Sequence, residues 1–173
     1  MRQGSGSGLV GLEEQLTENE EKTRELILSL PFFDVMQSQD LDLLARHMNH
    51  LALRRGEHLF VEGDPGDSMY FVVSGLFDVM KKTAAGDYRT VARIGRGGTI
   101  GEMTLLDKAQ RSATVMARQH AVVLMLSLKG FTILTEHHPA TGIKLLKRIM
   151  RMLSLQMRRT TSRLADHLHE EQE

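Results

Sequence analysis

The chain has 173 residues, with 22 Lys and Arg balanced by 22 Asp and Glu, so no global field selects a nucleic acid or a membrane surface. Cysteine is absent, which excludes disulfides, thiolate zinc sites, Cys-ligated iron–sulfur clusters and Cys nucleophiles. Apolar residues at 41% and charged residues at 25% suit one globular domain with a core of its own, and without a transmembrane or signal segment the expected location is the cytoplasm.

Residues 1–10 are rich in Gly and Ser and are expected to be flexible. Residues 11–50 are expected to hold the N-terminal helices. The stretch 11–29 carries many Glu, with Leu16, Leu26, Ile27 and Leu28 as its apolar positions. Pro31 interrupts it. Ser38 is placed to cap a second helix through Met48, because its hydroxyl can accept from free N–H groups before an apolar-periodic run. Leu41, Leu44, Ala45 and Met48 fall at helical spacing there.

Residues 51–128 change period. Short runs of Val, Phe, Leu and Tyr alternate with glycine turns, the pattern of a mainly β sandwich or closed jelly roll. Ala84–Asp87 reads as a hairpin tip between Phe77–Lys82 and Tyr88–Ile94. Residues 129–173 return to helix: a short one over Lys129–His138, then a long one from Pro139 to about His169. On the long helix Ile143, Leu146, Met150, Leu153, Met157, Thr160 and Leu164 follow a heptad seam. Leu145, Ile149 and Met152 form a second stripe, facing the β region. Two stripes predict a homodimer through Ile143–Leu164; the alternative packs both inside one chain.

The chemistry concentrates at Gly97–Ala117. A buried phosphodiester needs backbone N–H groups aimed at its oxygens and a compensating cation. Gly101 allows close backbone approach, and Glu102–Asp107 suits a single helical turn with its N-terminus at the anion. Arg111 supplies a planar fork and Ser112 a hydroxyl. A carboxylate at Glu102 makes sense only if a sugar hydroxyl must also be fixed. Taken as spacing alone, a tight turn with a surface arginine would read the same way.

Three segments carry a resemblance: LPFF (Leu30–Phe33), FVEGDPGDSMYFVVSGLFDV (Phe60–Val79) and GEMTLLDKAQRSATV (Gly101–Val115). From about Leu30 to Leu164 the chain resembles the cyclic-nucleotide-binding domain family. The resemblance implies a β jelly roll flanked by helices, with Glu102 on the ribose 2′-hydroxyl and Arg111 on the cyclic phosphate. It implies backbone donors at Gly101, Met103 and Thr104, a contact from Ser112, and a small residue at Ala113. Gly63, Gly66 and Gly75 match turn glycines and not ligand contacts. RRTTSRLADHL (Arg158–Leu168) resembles the end of the dimerisation helix in regulators of the catabolite activator type, which puts Thr160 and Thr161 on the base. Two departures stand out. The position usually acidic before the cassette is Thr99, after Gly98, and the chain ends soon after the long helix, so neither a helix-turn-helix nor direct DNA binding is expected.

Other chemistries are weaker. Of eight histidines, only His58 and His120 lie in the strand region, too far apart for a cupin-type metal site, and no metal is expected. Lys144, Lys147, Arg148, Arg151, Arg158, Arg159 and Arg163 make the long helix basic; they read as a solvated face with the acidic N-terminal helix as a possible mate. No catalytic triad or Walker-type loop occurs. The expectation is a non-enzymatic module that takes cAMP, or less readily cGMP, and signals through its last helix to an unidentified downstream protein. The alternative is a dimerisation or interaction module whose pocket is empty or holds another ligand.

Overall fold

The computed structural model describes residues 7–107 and 109–170, with side chains for 18–105, 107 and 109–162. The first six residues of the segment expected to be flexible, and the side chain of Leu164, lie outside the described residues. Helix α1 spans Ser7–Leu28, a 3₁₀ turn Pro31–Phe33 and α2 Ser38–His47. Eight strands follow: β1 Met48–Leu53, β2 His58–Phe60, β3 Ser68–Ser74, β4 Leu76–Lys82, β5 Tyr88–Gly95, β6 Thr99–Ile100, β7 Thr114–Ala117 and β8 Ala121–Ser127. Helix α3, Glu102–Asp107, interrupts them between β6 and β7; α4, Leu128–His137, and α5, Pro139–Glu170, close the chain.

The strands form two antiparallel four-stranded sheets, ordered β1-β8-β3-β6 and β2-β7-β4-β5. This is the mainly β jelly roll with flanking helices that the strand pattern predicts. The Ala84–Asp87 hairpin tip is also found: Thr83 donates its N–H to Asp87 O at 2.7 Å, and Gly86 to Thr83 O at 2.9 Å. Two local expectations change. Gln37, not Ser38, is the N-cap of α2, its N–H donating to Asp40 Oδ2 at 2.8 Å, while Ser38 Oγ accepts from Arg24. Strand character begins at Met48, whose extended backbone ends α2 three residues before the expected change of period.

Strand β3 explains the two-layer core. Successive side chains point to opposite faces of a sheet, and β3 is buried on both. Tyr70 and Val72 pack between the sheets with Phe77, Ile100 and Val115. Met69, Phe71 and Val73 face the helical layer instead, against Phe33, Leu44, Leu134 and Leu145. Phe71 stands 4.8 and 4.9 Å, centroid to centroid, from Phe32 and Phe33.

Helix α5 is anchored along its first half. Leu145 and Ile149 are buried, with Met152 packed against the same core, as the inward stripe predicts. Asp40 of α2, itself buried, accepts from Thr141 Oγ1 at 2.6 Å and Lys144 Nζ at 2.5 Å. Arg148 donates to the carbonyls of Pro31 and Phe32 and pairs with Asp34 at 3.0 Å. Lys144 and Arg148 are therefore tethers and not part of a solvated face, and their acidic mates lie on α2 and the 3₁₀ turn. The seam is open at three positions, Ile143, Met150 and Met157, which are 50%, 57% and 71% exposed, while Leu153 packs against the core.

Candidate functional site

The short connection from β6 through α3 to β7 makes a cradle under the jelly roll's mouth. Gly101 adopts φ +78°, and a Cβ there would fall 2.3 Å from the Arg111 guanidinium. Gly66 does the same for the next turn, since a Cβ on it would meet Thr104 at 2.4 Å. Thr104 thus sits tightly, donating to Gly101 O at 2.8 Å and accepting from Arg111 at 2.9 Å. The Arg111 backbone is gripped by the loop after β2: its N–H donates to Asp64 O, and its carbonyl accepts from Gly63.

The Arg111 side chain is 4% exposed. It donates to Ser68 Oγ at 3.1 Å and stacks over the Phe60 ring at 4.1 Å from the centroid. No carboxylate pairs with it among the described residues, and its Nε is buried with no partner. Burial lowers its pKa from the ordinary arginine value, opposed by Tyr70, Asp67 and Asp64; the group remains a cation. Glu102, at the start of α3, has the complementary defect: Oε2 is buried and unpartnered. Burial raises its pKa above the usual glutamate value, against its own backbone N–H, which favours the carboxylate; Thr99 stands beside it.

Both groups line one cavity of about 200 Å³ with an apolar wall that includes Phe60, Val79, Ile94 and Val115. Gly101, Glu102, Met103, Thr104, Arg111, Ser112 and Ala113 all line it. Thr160 and Thr161 do not. They are exposed and donate back to the helix carbonyls of Gln156 and Met157 at 3.1 and 3.0 Å. The α5 residue that does line the cavity is Gln156. The Gly98–Thr99 departure leaves the turn closed, with Gly98 donating to Gly95 O at 3.0 Å, and Thr99 donates its hydroxyl to Met152 Sδ on α5 at 2.7 Å. Sequence reasoning passed over Phe60, Ser68, Tyr70, Thr99 and Gln156. The alternating pattern of β3 marks Tyr70 as one of its inward residues, but nothing local marks the others.

The model of the family described as cyclic nucleotide-binding domain matches residues 50–138, just over half of the chain. This chain belongs to that family. The cyclic nucleotide-binding domain is 29% identical over 123 residues to the cyclic AMP receptor protein of Thermus thermophilus, covering 71% of this chain and 57% of the relative. It therefore spans little more than half of that relative's length. Among solved structures, it is similar to a cyclic nucleotide-binding domain from Methylobacillus flagellatus, at TM-score 0.75 and 27% identity over 87% of this chain and 84% of the other. The Thermus thermophilus catabolite activator protein matches at TM-score 0.67 and 27% identity, covering 78% and 62%. Among the described residues no group of His, Asp and Glu could hold a metal ion, and no helix is long and apolar enough to cross a membrane.

Two tests arise from this geometry. Gly101→Ala in this domain meets both a left-handed backbone and the Arg111 guanidinium, so it should cost roughly 1–2 kcal/mol from the backbone alone; chemical denaturation measures this, and an unchanged midpoint would contradict the geometry. Glu102→Gln concerns a carboxyl whose folded pKa is raised, so the charged form opposes folding and stability falls as pH rises through the ordinary glutamate range. The variant should melt higher than wild type at neutral pH, with the gap closing as pH falls below about 4.5. A gap that widens on acidification would reverse the sign.

Proposed function

We propose that the domain is a non-enzymatic cytoplasmic sensor that binds a cyclic mononucleotide, cAMP in preference to cGMP, between the cassette and α5. The observation that carries the reading is that a buried arginine without a carboxylate partner, Arg111, and a buried glutamate, Glu102, each with one unpartnered polar atom, line the same cavity. A buried donor and a buried acceptor each left unmade cost the fold. A cyclic phosphate oxygen supplies the acceptor and a ribose hydroxyl the donor, in one rigid ligand. In this reading Gly101, Met103 and Thr104 present backbone N–H groups to the phosphate, Ser112 contacts it and Ala113 leaves room for it. The kinship to a cyclic AMP receptor protein favours adenine.

Signalling requires that the ligand bind one arrangement of α5 better than another. Thr99 supports such coupling, since it lies beside Glu102 and holds Met152. The uncovered Ile143, Met150 and Met157 seam supports a homodimer through Ile143–Leu164, and an unidentified downstream protein would read the change. Titration calorimetry with cAMP and cGMP tests the binding; absence of heat and of any thermal shift with either nucleotide would leave only a dimerisation module. Light scattering should give twice the chain mass; the mass of one chain would remove the dimer.

A further inference from the structure

The cassette end of the cavity is defined, but the end that reads a base is not. Thr99 stands beside Glu102, and Thr99 and Gln156 also line the neighbouring groove between α5 and the Gly97–Gly98 turn. Arg111 and Glu102 line the cavity and not the groove, so Thr99 and Gln156 mark the junction of cavity and groove. The cavity's volume of about 200 Å³ falls below the range of roughly 300–1,000 Å³ usual for a whole ligand of this size. In the cyclic-nucleotide reading, phosphate and ribose would occupy the cavity beside Arg111 and Glu102, and the base would extend to its junction with the groove, at Thr99 and Gln156.

Resting on the cyclic-nucleotide reading above, we infer that Gln156, and not the Thr160–Thr161 pair, is the residue on α5 that selects adenine over guanine. Three observations converge on it. It is half-buried, and it is the α5 residue at the cavity wall. It lies one turn beyond Met152, which Thr99 ties to the jelly roll, so its backbone is held over the opening. The hydroxyls of Thr160 and Thr161 are already donated within the helix, one turn further out. The chemistry fits the role: a carboxamide accepts from the adenine N6 amino group and donates to N7, whereas guanine presents two acceptors, O6 and N7, on that edge. The carboxamide oxygen then faces guanine O6 with no proton between them.

The experiment is calorimetric titration of the intact chain with cAMP and with cGMP, in wild type, Gln156→Ala, Gln156→Arg and the Thr160→Ala/Thr161→Ala pair, with a thermal melt of each. Wild type should prefer cAMP by about tenfold, and Gln156→Ala should bring the two affinities within about threefold, mainly by weakening cAMP. Gln156→Arg, with two donors for O6 and N7, should turn the preference toward cGMP. The threonine pair variant should keep the wild-type ratio. An unchanged ratio in a folded Gln156→Ala, or a ratio that collapses only in the threonine variant, overturns the inference. Equal wild-type affinities overturn it while leaving the cyclic-nucleotide reading standing, and binding of neither nucleotide overturns both.

Discussion

Arg111→Met should weaken nucleotide binding at least tenfold and leave the ligand-free domain no less stable than wild type. The binding loss follows from removing the cation that pairs with the phosphate, a charge-assisted contact of about 1.5–3 kcal/mol, or at least tenfold in affinity. The stability half is the more telling. Without ligand, Arg111 is a 4% exposed guanidinium with no carboxylate partner and an unsatisfied Nε. Replacing a buried charge with an apolar side chain of similar volume is often neutral or stabilising. Methionine can lie on the Phe60 ring where the guanidinium stacked. The abandoned partners keep bonds of their own: Thr104 donates to Gly101 O, and Ser68 Oγ donates to Asp67 while it stays within hydrogen-bond distance of the Tyr70 hydroxyl, which can donate to it. Calorimetry and a thermal melt of the same preparation check both halves. Retained binding would refute the phosphate assignment; a marked fall in Tm with binding lost would mean that Arg111 serves the fold first.

Phe71→Ala should remove about 3–5 kcal/mol of folding stability, measured as a shift of the denaturation midpoint at constant slope. That is a large part of the whole for a domain of this kind, where the total is roughly 5–15 kcal/mol. Phe71 is 1% exposed, and the rings of Phe32 and Phe33 close on it from the helical layer. Phe32 in turn lies under Arg148, 5.6 Å from its centroid. The cavity left by Phe71 would therefore loosen the tether of α5 as well as the seating of the 3₁₀ turn. Val91→Ala on the exposed strand β5 is the control, since Val91 is 55% exposed and should change little. A loss below about 1 kcal/mol at Phe71 would mean that the two aromatic layers reseal without it.

The cassette was legible because its parts are near one another in sequence. Gly101, Glu102, Thr104 and Arg111 lie within eleven positions, and the backbone alone brings them to one wall. Ser68, Tyr70 and Phe60 reach the same guanidinium from far upstream, through the fold of the jelly roll; the pattern of β3 turns Tyr70 inward, and no local pattern announces the other two. The burial of β3 on both faces is legible in its unbroken apolar run, but which side chains meet the helices depends on the pairing with β8. On α5 the second apolar stripe, Leu145, Ile149 and Met152, faces the core as its spacing predicts. Resemblance put Thr160 and Thr161 on the base; in the single chain the α5 residue on the cavity wall is Gln156. The register of α5 over the roll depends on where Asp40 and Arg148 catch the helix, which composition and spacing do not record.

Those two catches have a mechanical consequence. They fasten α5 near Thr141 and Arg148, Thr99 meets it at Met152, and Leu153 packs against the same core. From Met157 to Glu170, beyond the cavity wall at Gln156, the helix can act as a cantilever with its root at the mouth of the pocket. At 1.5 Å of rise per residue, this arm is roughly 21 Å long, so a tilt of about 10° at the root carries its tip roughly 4 Å. A small adjustment where Thr99 meets Met152 would thus reach the far end of α5 as a displacement of several ångströms.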